Sequence, residues 1–383
     1  MAETGARRIR LGMVGGGTGA FIGYVHRIAA RLDGDYELVA GALSSRPEVA
    51  RESGRNIGLS PERTYASWQE MLKSETARPD GIEAVAIVTP NNVHFAPAKA
   101  FLEAGVHVIC DKPLTSTLAD ARQLAAVKPK KGAKFLLTHN YTAYPLIRQA
   151  RELVKSGALG KLRVVQVEYP QDWLSTPTDP ANKQAAWRTD PKRSGAGGAI
   201  GDIGTHAYNL ARFVTGLRTE AVSADLQSFV KGRKVDDNVH VMLRFSGGAR
   251  GMLWASQVAP GNENALQLRV YGDKAGLSWR QENPNQLWFT ELGKPAQLLT
   301  RGGAISQPPA AAMNIRIPGG HPEGYLEAFA TLYSQFAAVI RGEGKAFAPL
   351  LPGLTDGVEG LEFITAAIAS SKADGKWTKL SEV

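Results

Sequence analysis

The stretch Ile9–His26, IRLGMVGGGTGAFIGYVH, constrains the fold more than any other part of the chain. A short apolar run meets a cluster of glycines, and a helical pattern then begins near Ala20. This order predicts a strand, a tight turn and a helix. Gly15, Gly17 and Ala20 are spaced as G-x-G-x-x-A, the dinucleotide fingerprint, in which the third small residue lets helix and strand pack closely. The helix start would face the phosphates, although glycine-rich turns are common and the motif alone is weak evidence.

Composition excludes several classes of protein. The chain has 383 residues, more than one compact domain usually holds, so we expect two domains. Cys110 is the single cysteine, which rules out an internal disulfide and a cysteine-rich zinc site and fits a reducing cytoplasm. We see no apolar leader and no membrane-length apolar run. The net charge is +9, but the densest basic cluster, Lys128–Lys134, fits a solvated loop, and we expect no nucleic-acid role.

Strand and helix patterns alternate through the first 139 residues. They predict an open, doubly wound parallel sheet of the Rossmann type, an α/β domain spanning 1–139. Ligands bind such sheets beyond the carboxyl ends of the strands. That rim would hold Gly15–Ala20, Ser44, Thr89–Asn92, Asp111–Pro113 and His139–Tyr141.

The pattern changes beyond Gly160. Short alternating segments joined by Gly, Asn or Asp turns predict a mainly antiparallel open β-sheet in an α+β domain spanning 140–383, for substrate binding and oligomerisation. A helix beginning at Asp202 interrupts these segments, and two helices follow at about Glu323–Ile340 and Gly357–Ser371. The segment Arg301–Gly320 is expected to be a long surface loop.

Asp202 and His206 are the first candidates for chemistry, because residues four apart project from one face of a helix. Gly201 and Gly204 beside them suggest close approach by another backbone or by a ligand. The alternative is structural: Asp202 would be a helix N-cap and His206 a half-buried histidine. Lys112 likewise could be an ordinary solvated lysine at a strand end.

Taken together, these motifs resemble one known family. The glycine turn, Thr89–His94 (TPNNVH), Asp111–Pro113 (DKP), Trp187–Arg188 (WR) and Gly201–His206 (GDIGTH) are similar to the Gfo/Idh/MocA oxidoreductases. The resemblance runs along nearly the whole chain. With the QDW sequence ahead of WR, it is closest to inositol and levoglucosan dehydrogenase-like members.

The resemblance implies roles for individual residues. Lys112 would hydrogen-bond the nicotinamide side and the substrate oxygen, His206 would be the proton donor or acceptor, and Asp202 would bind and orient. Two departures are that Asp111 replaces the usual glutamate and that the loop from Gly19 to His26 is longer than usual. Cofactor contacts are expected from Gly15, Gly17, Thr18, Gly19, Ala20, Ser44, Ser45, Arg46, Thr89, Pro90, Asn91, Asn92, His94, Asp111, Lys112 and Asn140. Sugar contacts are expected from Tyr141, Asp172, Trp173, Trp187, Arg188, Asn209 and His321.

The sequence thus predicts an NAD(P)-dependent oxidoreductase that acts on a secondary alcohol or ketone of a sugar, sugar derivative or cyclitol, with no metal. One lysine near the oxygen and one histidine near neutral pH suffice for the proton chemistry. We expect a preference leaning toward NADP, because the second predicted strand is followed by Ser44, Ser45 and Arg46 and carries no carboxylate at its end. The open sheet predicts a homodimer or homotetramer. Alternatives are a glycosidase that uses bound NAD transiently and a non-catalytic sugar-sensing regulator.

Overall fold

A computed structural model of the protein describes residues 7–179, 181–302 and 315–383. Within these residues the chain forms two compact units. Unit 1 comprises residues 7–115, 119–140 and 325–358, and unit 2 comprises 116–118, 141–324 and 359–383, apart from the positions outside the described ranges. Most of the predicted Arg301–Gly320 loop lies outside the described residues.

Unit 1 contains a five-stranded parallel sheet in the order β2-β1-β3-β4-β5. Its strands are β1 (Ile9–Gly15), β2 (Tyr36–Ala42), β3 (Ala84–Val88), β4 (His107–Cys110) and β5 (Phe135–Leu137). Its helices are α1 (Phe21–Leu32), α2 (Pro47–Asn56), α3 (Trp68–Ala77), α4 (Phe95–Ala104) and α5 (Leu118–Ala125). The strand order and alternation confirm the predicted doubly wound sheet, whereas α3 was not predicted.

The burial of the central strand β3 reflects a parallel sheet that is covered on both faces. All five of its residues, AVAIV, are buried, as expected for a strand with helices on either side. Its carboxyl end, with those of β1 and β4, forms one rim of the sheet. The sequence motifs of unit 1 follow these strand ends directly.

A late helix also belongs to unit 1. This helix, Tyr325–Ile340, supplies Phe329 and Tyr333, whose rings lie 5.1 and 5.8 Å from that of His26 on α1, and Tyr333 lies 5.3 Å from Tyr36. The single boundary predicted between residues 139 and 140 therefore differs from the structure. The reason is that aromatic side chains of this distant helix pack against His26 of α1 and Tyr36 of β2.

Unit 2 is built on a nine-stranded sheet in the order β13-β12-β11-β10-β6-β9-β8-β7-β14. The β6–β9 pair is parallel and the other neighbours are antiparallel, so the sheet is mainly antiparallel as predicted. The strands are β6 (Leu162–Pro170), β7 (Thr219–Gln227), β8 (Asn238–Phe245), β9 (Arg250–Ser256), β10 (Gln267–Gly272), β11 (Ala275–Arg280), β12 (Gln286–Glu291), β13 (Gln297–Thr300) and β14 (Thr378–Lys379).

Helices α6 (Pro145–Lys155), α7 (Lys183–Arg188), α8 (Pro191–Ser194) and α9 (Thr205–Thr215) precede most of these strands. The helix Tyr325–Ile340 is α10 and Leu354–Lys372 is α11. Alternate residues of β8 are buried and exposed, which is the pattern of a sheet with one open face. Nowhere in the described ranges is there a helix long and apolar enough to cross a bilayer.

Candidate active site

The glycine turn after β1 has a backbone that side chains rarely adopt. Gly15, Gly16 and Gly19 have φ of +79°, +72° and +80°. At Gly17 an added Cβ would lie 2.6 Å from the Ser53 hydroxyl oxygen. Space and dihedral angles therefore require glycine in this turn, as predicted.

The close packing of helix against strand is made by Gly23 and not by Ala20. Ala20 is the N-cap of α1, with extended backbone, so it precedes the helix. A Cβ on Gly23 would lie 2.3 Å from Cα of Gly16. The sequence interpretation of Ala20 as the packing residue was wrong, because the longer turn delays the helix and brings its first full turn over Gly16.

The N-terminus of α1 has the chemistry of an anion site. Its N-cap makes no side-chain hydrogen bond, and its first turn holds no acidic residue. The Thr18 N–H donates to the Ser53 hydroxyl at 3.0 Å, and the Arg27 guanidinium donates to the carbonyl of Gly16, which ties the turn to α1. This end of the helix could hold a phosphate group, since free N–H groups and the helix dipole both favour negative charge.

The segment after β2 places a carboxylate that the sequence interpretation had not considered. The Ser44 hydroxyl accepts from the Arg46 N–H at 3.2 Å, while Ser45 and Arg46 are exposed. Glu48, in the first turn of α2, lies 4.0 Å from the Arg46 guanidinium, and both side chains are 67% exposed. A positive and a negative side chain therefore stand together at this strand end.

The segments after β3 and β4 are joined by a buried histidine. The two ring nitrogens of His94 lie 2.9 Å from the carbonyl oxygens of Thr89 and Pro113, and the side chain is fully buried. His94 was expected to contact the cofactor. That expectation stays a prediction, although both ring nitrogens face backbone carbonyls.

The neighbouring rim residues are mostly enclosed. Asn91 and Asn140 are 4% and 1% exposed, whereas Asn92 is exposed and Thr89 and Pro90 are half-buried. Asn140 Nδ2 has no hydrogen-bond partner among the described residues. Since a buried amide without a partner is costly, this atom is well placed to meet a ligand.

Two further buried histidines flank the Asp111–Lys112–Pro113 triplet. Burial lowers the pKa of His26 to about 4, although Asp111, 4.0 Å away, opposes the shift. Burial and the Lys112 charge lower the pKa of His139 to about 3. Both imidazoles are therefore neutral near pH 7. The Asp111 carboxylate accepts from the Thr138 hydroxyl at 2.9 Å.

In unit 2, the segment Ile200–Gly204 is a π-helix that continues into α9. Its start is fixed by Asp236, whose carboxylate oxygens accept from the N–H groups of Gly198 at 2.7 Å and Ile200 at 2.8 Å. Burial raises the pKa of Asp236 to about 6, while those backbone hydrogen bonds oppose the rise. π-Helical turns often occur at functional sites, and this one presents Asp202.

Asp202 is held by two side chains. One carboxylate oxygen accepts from Arg188 Nε at 3.1 Å and from Gln257 Nε2 at 2.9 Å. The alternative that Asp202 is an N-cap is wrong, because it lies inside the helical segment. Arg188, expected to contact sugar, is bound to Asp202 and has its guanidinium carbon 4.3 Å from the half-buried Trp187 ring.

Gln257, just beyond β9, was missed by sequence reasoning. Its position at a strand end was the only signal. The close approach expected at Gly201 is absent from the described residues, since a Cβ there would meet no atom within 4 Å. The close approach occurs at Gly198, where a Cβ would lie 2.0 Å from the Asp236 carbonyl oxygen.

His206 lies beside a pair of tyrosines. Its ring centre is 4.9 Å from that of Tyr141 and 6.4 Å from that of Tyr169. The two tyrosine hydroxyls are hydrogen-bonded, and Tyr169 donates to Asn264 Oδ1 at 2.7 Å. Burial raises the pKa of Tyr141, which keeps the phenol protonated. Sequence reasoning missed Tyr169 and Asn264, because nothing in their local sequence links them to His206.

The other residues predicted to contact sugar differ in how exposed they are. Asn209 is 6% exposed, and its Oδ1 has no partner among the described residues, while Trp173 is 39% exposed. Asp172 accepts from the Gly261 N–H at 3.3 Å. His321 is exposed in a different turn, with Nδ1 3.3 Å from the Pro318 carbonyl oxygen. No group of three or more His, Cys, Asp or Glu residues in the described ranges could hold a metal ion.

Two family models match this chain. Residues 9–139 match the oxidoreductase family with an NAD-binding Rossmann fold, and residues 147–278 match the GFO/IDH/MocA C-terminal domain. The chain belongs to the Gfo/Idh/MocA family. It is therefore an NAD(P)-dependent oxidoreductase of that family, which confirms the resemblance of the motifs.

Similar proteins with known structures support the assignment. An oxidoreductase from Sinorhizobium meliloti is 54% identical, with a TM-score of 0.88 over 98% of this chain and 100% of that one. An inositol dehydrogenase homologue from Azotobacter vinelandii, solved with NADH and myo-inositol, is 37% identical, with a TM-score of 0.90 over 98% of both chains. Levoglucosan dehydrogenase from Pseudarthrobacter phenanthrenivorans is 29% identical over 73% of this chain and 76% of its own.

Proposed function

We propose that this oxidoreductase transfers a hydride between nicotinamide and a secondary alcohol or ketone of a sugar, sugar derivative or cyclitol. The observation that carries the proposal is the π-helical segment that holds Asp202 between Arg188 and Gln257 and leads directly to His206. Similarity to proteins that act on inositol and levoglucosan supports the substrate class.

The residues of unit 1 fit a dinucleotide. A Cβ at Gly15 or Gly17 would lie 2.8 Å from Thr89 Cγ2 or 2.6 Å from the Ser53 hydroxyl oxygen, and Gly19 has a φ of +80°. These glycines keep the backbone of the turn, including Thr18, open to a phosphate, and α1 offers N–H groups without a side-chain cap. The nicotinamide supplies the hydride chemistry when bound. Further contacts are proposed for Ala20, Ser44, Thr89, Asn91, Asp111 and Asn140.

The proton chemistry is assigned to the protein. Lys112 stabilises the developing alkoxide through its charge, and His206 accepts the proton from the hydroxyl. Asp202 helps to bind and orient the substrate next to His206. Asn209 and Trp173 contact the sugar, because one has a buried oxygen without a partner in the described residues and the other an exposed ring.

The test of this mechanism is the pair Lys112→Ala and His206→Ala. Each should lower turnover roughly 10²-fold or more, with a far smaller change in NADH affinity, because both act on the reacting oxygen. The double mutant should be little worse than the poorer single mutant, since the two act as a unit. Near-normal turnover and an unchanged pH profile in His206→Ala would return the histidine to a structural role.

Product analysis separates the dehydrogenase from the alternatives. A panel of sugars, inositols and keto-sugars with NAD and NADP should give net change at the nicotinamide absorbance band. Cleavage of a glycoside without net NADH would favour the glycosidase. Ligand binding with no turnover on any member would favour the regulator.

The cofactor preference is proposed to lean toward NADP. Serine hydroxyls at positions 44 and 45 can bond a 2′-phosphate, and Arg46 can pair with its charge. Glu48 opposes this lean, as it lies 4.0 Å from Arg46. Titration with each cofactor should show that Arg46→Ala weakens NADPH binding several-fold and leaves NADH binding unchanged. Tenfold tighter binding of NADH than of NADPH by the wild type would overturn the lean.

We also propose a homodimer or homotetramer in the cytoplasm. The sheet of unit 2 exposes Met242, Tyr271 and Trp288 at 50%, 41% and 48%, apolar side chains that a second copy of the chain could cover. The buried thiol of Cys110 fits a reducing compartment. Light scattering that gave a stable monomer of 41.0 kDa at micromolar concentration would contradict the oligomer.

A further inference from the structure

The Asp111–Lys112–Pro113 triplet is surrounded by buried histidines to an unusual degree. His26, His94 and His139 are 0%, 0% and 2% exposed, and they are three of the seven histidines in the chain. His26 approaches Asp111, and the Lys112 charge is close enough to His139 to help lower the pKa of that imidazole. His94 contacts the backbone of the triplet, since its Nδ1 lies 2.9 Å from the Pro113 carbonyl oxygen.

His94 stands between two backbone carbonyls. Both of its ring nitrogens lie 2.9 Å from carbonyl oxygens, those of Pro113 and Thr89. A carbonyl oxygen can only accept a hydrogen bond, so an N–H of the ring is the donor, and the tautomer decides which carbonyl receives it. The ring therefore bridges the two segments.

The bridge joins the ends of two neighbouring strands. Thr89 follows β3, and Pro113 ends the triplet that follows β4. On the other side of Lys112, the Asp111 carboxylate accepts from the Thr138 hydroxyl at 2.9 Å. Lys112 is therefore held between two tethered neighbours, one fixed by Thr138 and the other by His94.

We propose that His94 is a positioning residue for Lys112: its ring, with one nitrogen 2.9 Å from the Thr89 carbonyl oxygen and the other 2.9 Å from that of Pro113, holds the Lys112 backbone to the end of β3. This inference rests on the proposed catalytic role of Lys112. A reacting group displaced by about 1 Å can cost a large part of the rate, so such a lock has kinetic value.

A double-mutant cycle tests the inference. His94→Gln should lower kcat about tenfold in the wild-type background and less than about twofold in the Lys112→Ala background, because His94 acts through Lys112. The KM for the cofactor should change little in both. Equal losses in the two backgrounds would overturn the inference, since a purely structural role would not depend on the lysine.

His107→Gln is the matched control. His107 lies at the opposite end of β4, where its Nδ1 accepts from the Lys134 N–H at 3.0 Å. This variant should lower stability in proportion to the lost bond and leave kcat unchanged. If its kcat falls as far as that of His94→Gln, the effect is one of general destabilisation and the inference is wrong.

A second variant keeps the inference testable if His94→Gln does not fold. The same cycle is then run with His94→Asn, whose shorter side chain cannot reach both carbonyls, and the same dependence on Lys112 is expected. Full turnover in Lys112→Ala would instead overturn the proposed function, so the two failures are distinguishable.

Discussion

Unit 1 and unit 2 each contain a glycine-rich segment that leads into a helix, and the two are used in opposite ways. In unit 1 the turn Gly15–Gly23 leads to α1, which has neither a capping side chain nor an acidic residue in its first turn. In unit 2 the segment Gly197–Gly204 begins with N–H groups that the buried Asp236 carboxylate accepts at 2.7 and 2.8 Å. One segment leaves its donors for an external anion, and the other has an anion of its own.

The difference concerns what each segment must hold. A dinucleotide phosphate needs free N–H groups and a close backbone, so unit 1 places glycines where a Cβ would collide. The segment in unit 2 must keep Asp202 and His206 in place, so its backbone donors are satisfied internally. Similar composition thus produces a binding surface in one unit and a rigid support in the other.

The largest expected effect comes from exchanging glycine for alanine in the two segments. Gly23→Ala brings a Cβ to 2.3 Å from Gly16 Cα, a backbone atom, so we expect about 1–3 kcal/mol of destabilisation and at least roughly tenfold weaker NADH binding. Gly201→Ala has no atom within 4 Å among the described residues. Its stability should stay within about 1 kcal/mol of the wild type.

Thermal unfolding and NADH titration of both variants check this contrast. If Gly23→Ala kept the wild-type melting temperature and NADH affinity, the turn would be able to accommodate the added methyl group. That result would contradict the proposed contrast between the two segments. If Gly201→Ala raised the substrate KM without changing the melting temperature, the contrast would become more specific. The open space beside Gly201 would then be where the substrate binds.

Removing the internal anion should have a smaller effect on NADH binding than Gly23→Ala, although the fold loses at least as much stability. Asp236→Ala leaves the buried N–H groups of Gly198 and Ile200 without their acceptors, at roughly 1–3 kcal/mol for each. Denaturant unfolding should detect this loss, and kcat should fall while NADH affinity stays constant. Asp225→Ala, an exposed residue of β7, is the control and should change neither. Loss of NADH affinity equal to the loss of kcat would contradict separate tasks for the two segments.

The smallest effect is the dependence of stability on pH, which should have opposite signs in the two units. The pKa of His26 falls from 6.5 to about 4 on folding, so unfolding takes up a proton between these values and stability is lost as pH drops from 6.5 to 4. The pKa of Asp236 rises from 3.8 to about 6, so its contribution is present at low pH and is lost as pH rises through 6.

Urea unfolding between pH 4 and 7 measures both slopes. His26→Gln should flatten the loss of stability on acidification, and Asp236→Asn should steepen it. His240→Gln is the control, because this histidine is exposed on β8. An unchanged slope in His26→Gln would show that this imidazole is not excluded from water as its burial indicates.

The sequence by itself determined the glycine turn, the alternation of strands and helices, and the positions of Lys112, Asp202 and His206 at strand and helix ends. These are local features, because turn chemistry and hydrophobic periodicity act over consecutive residues. The family followed from the same ordered motifs.

Only the tertiary structure decided which residues pack against these local features or form hydrogen bonds with them. Gly23 replaces Ala20 because the helix begins later than the motif suggested, and Asp202 is held by Gln257, 55 positions away in the chain. His26 bonds Tyr333 across 307 positions, which also returns α10 to unit 1. Contacts of this range depend on how whole elements pack, and no local pattern in either partner encodes the other.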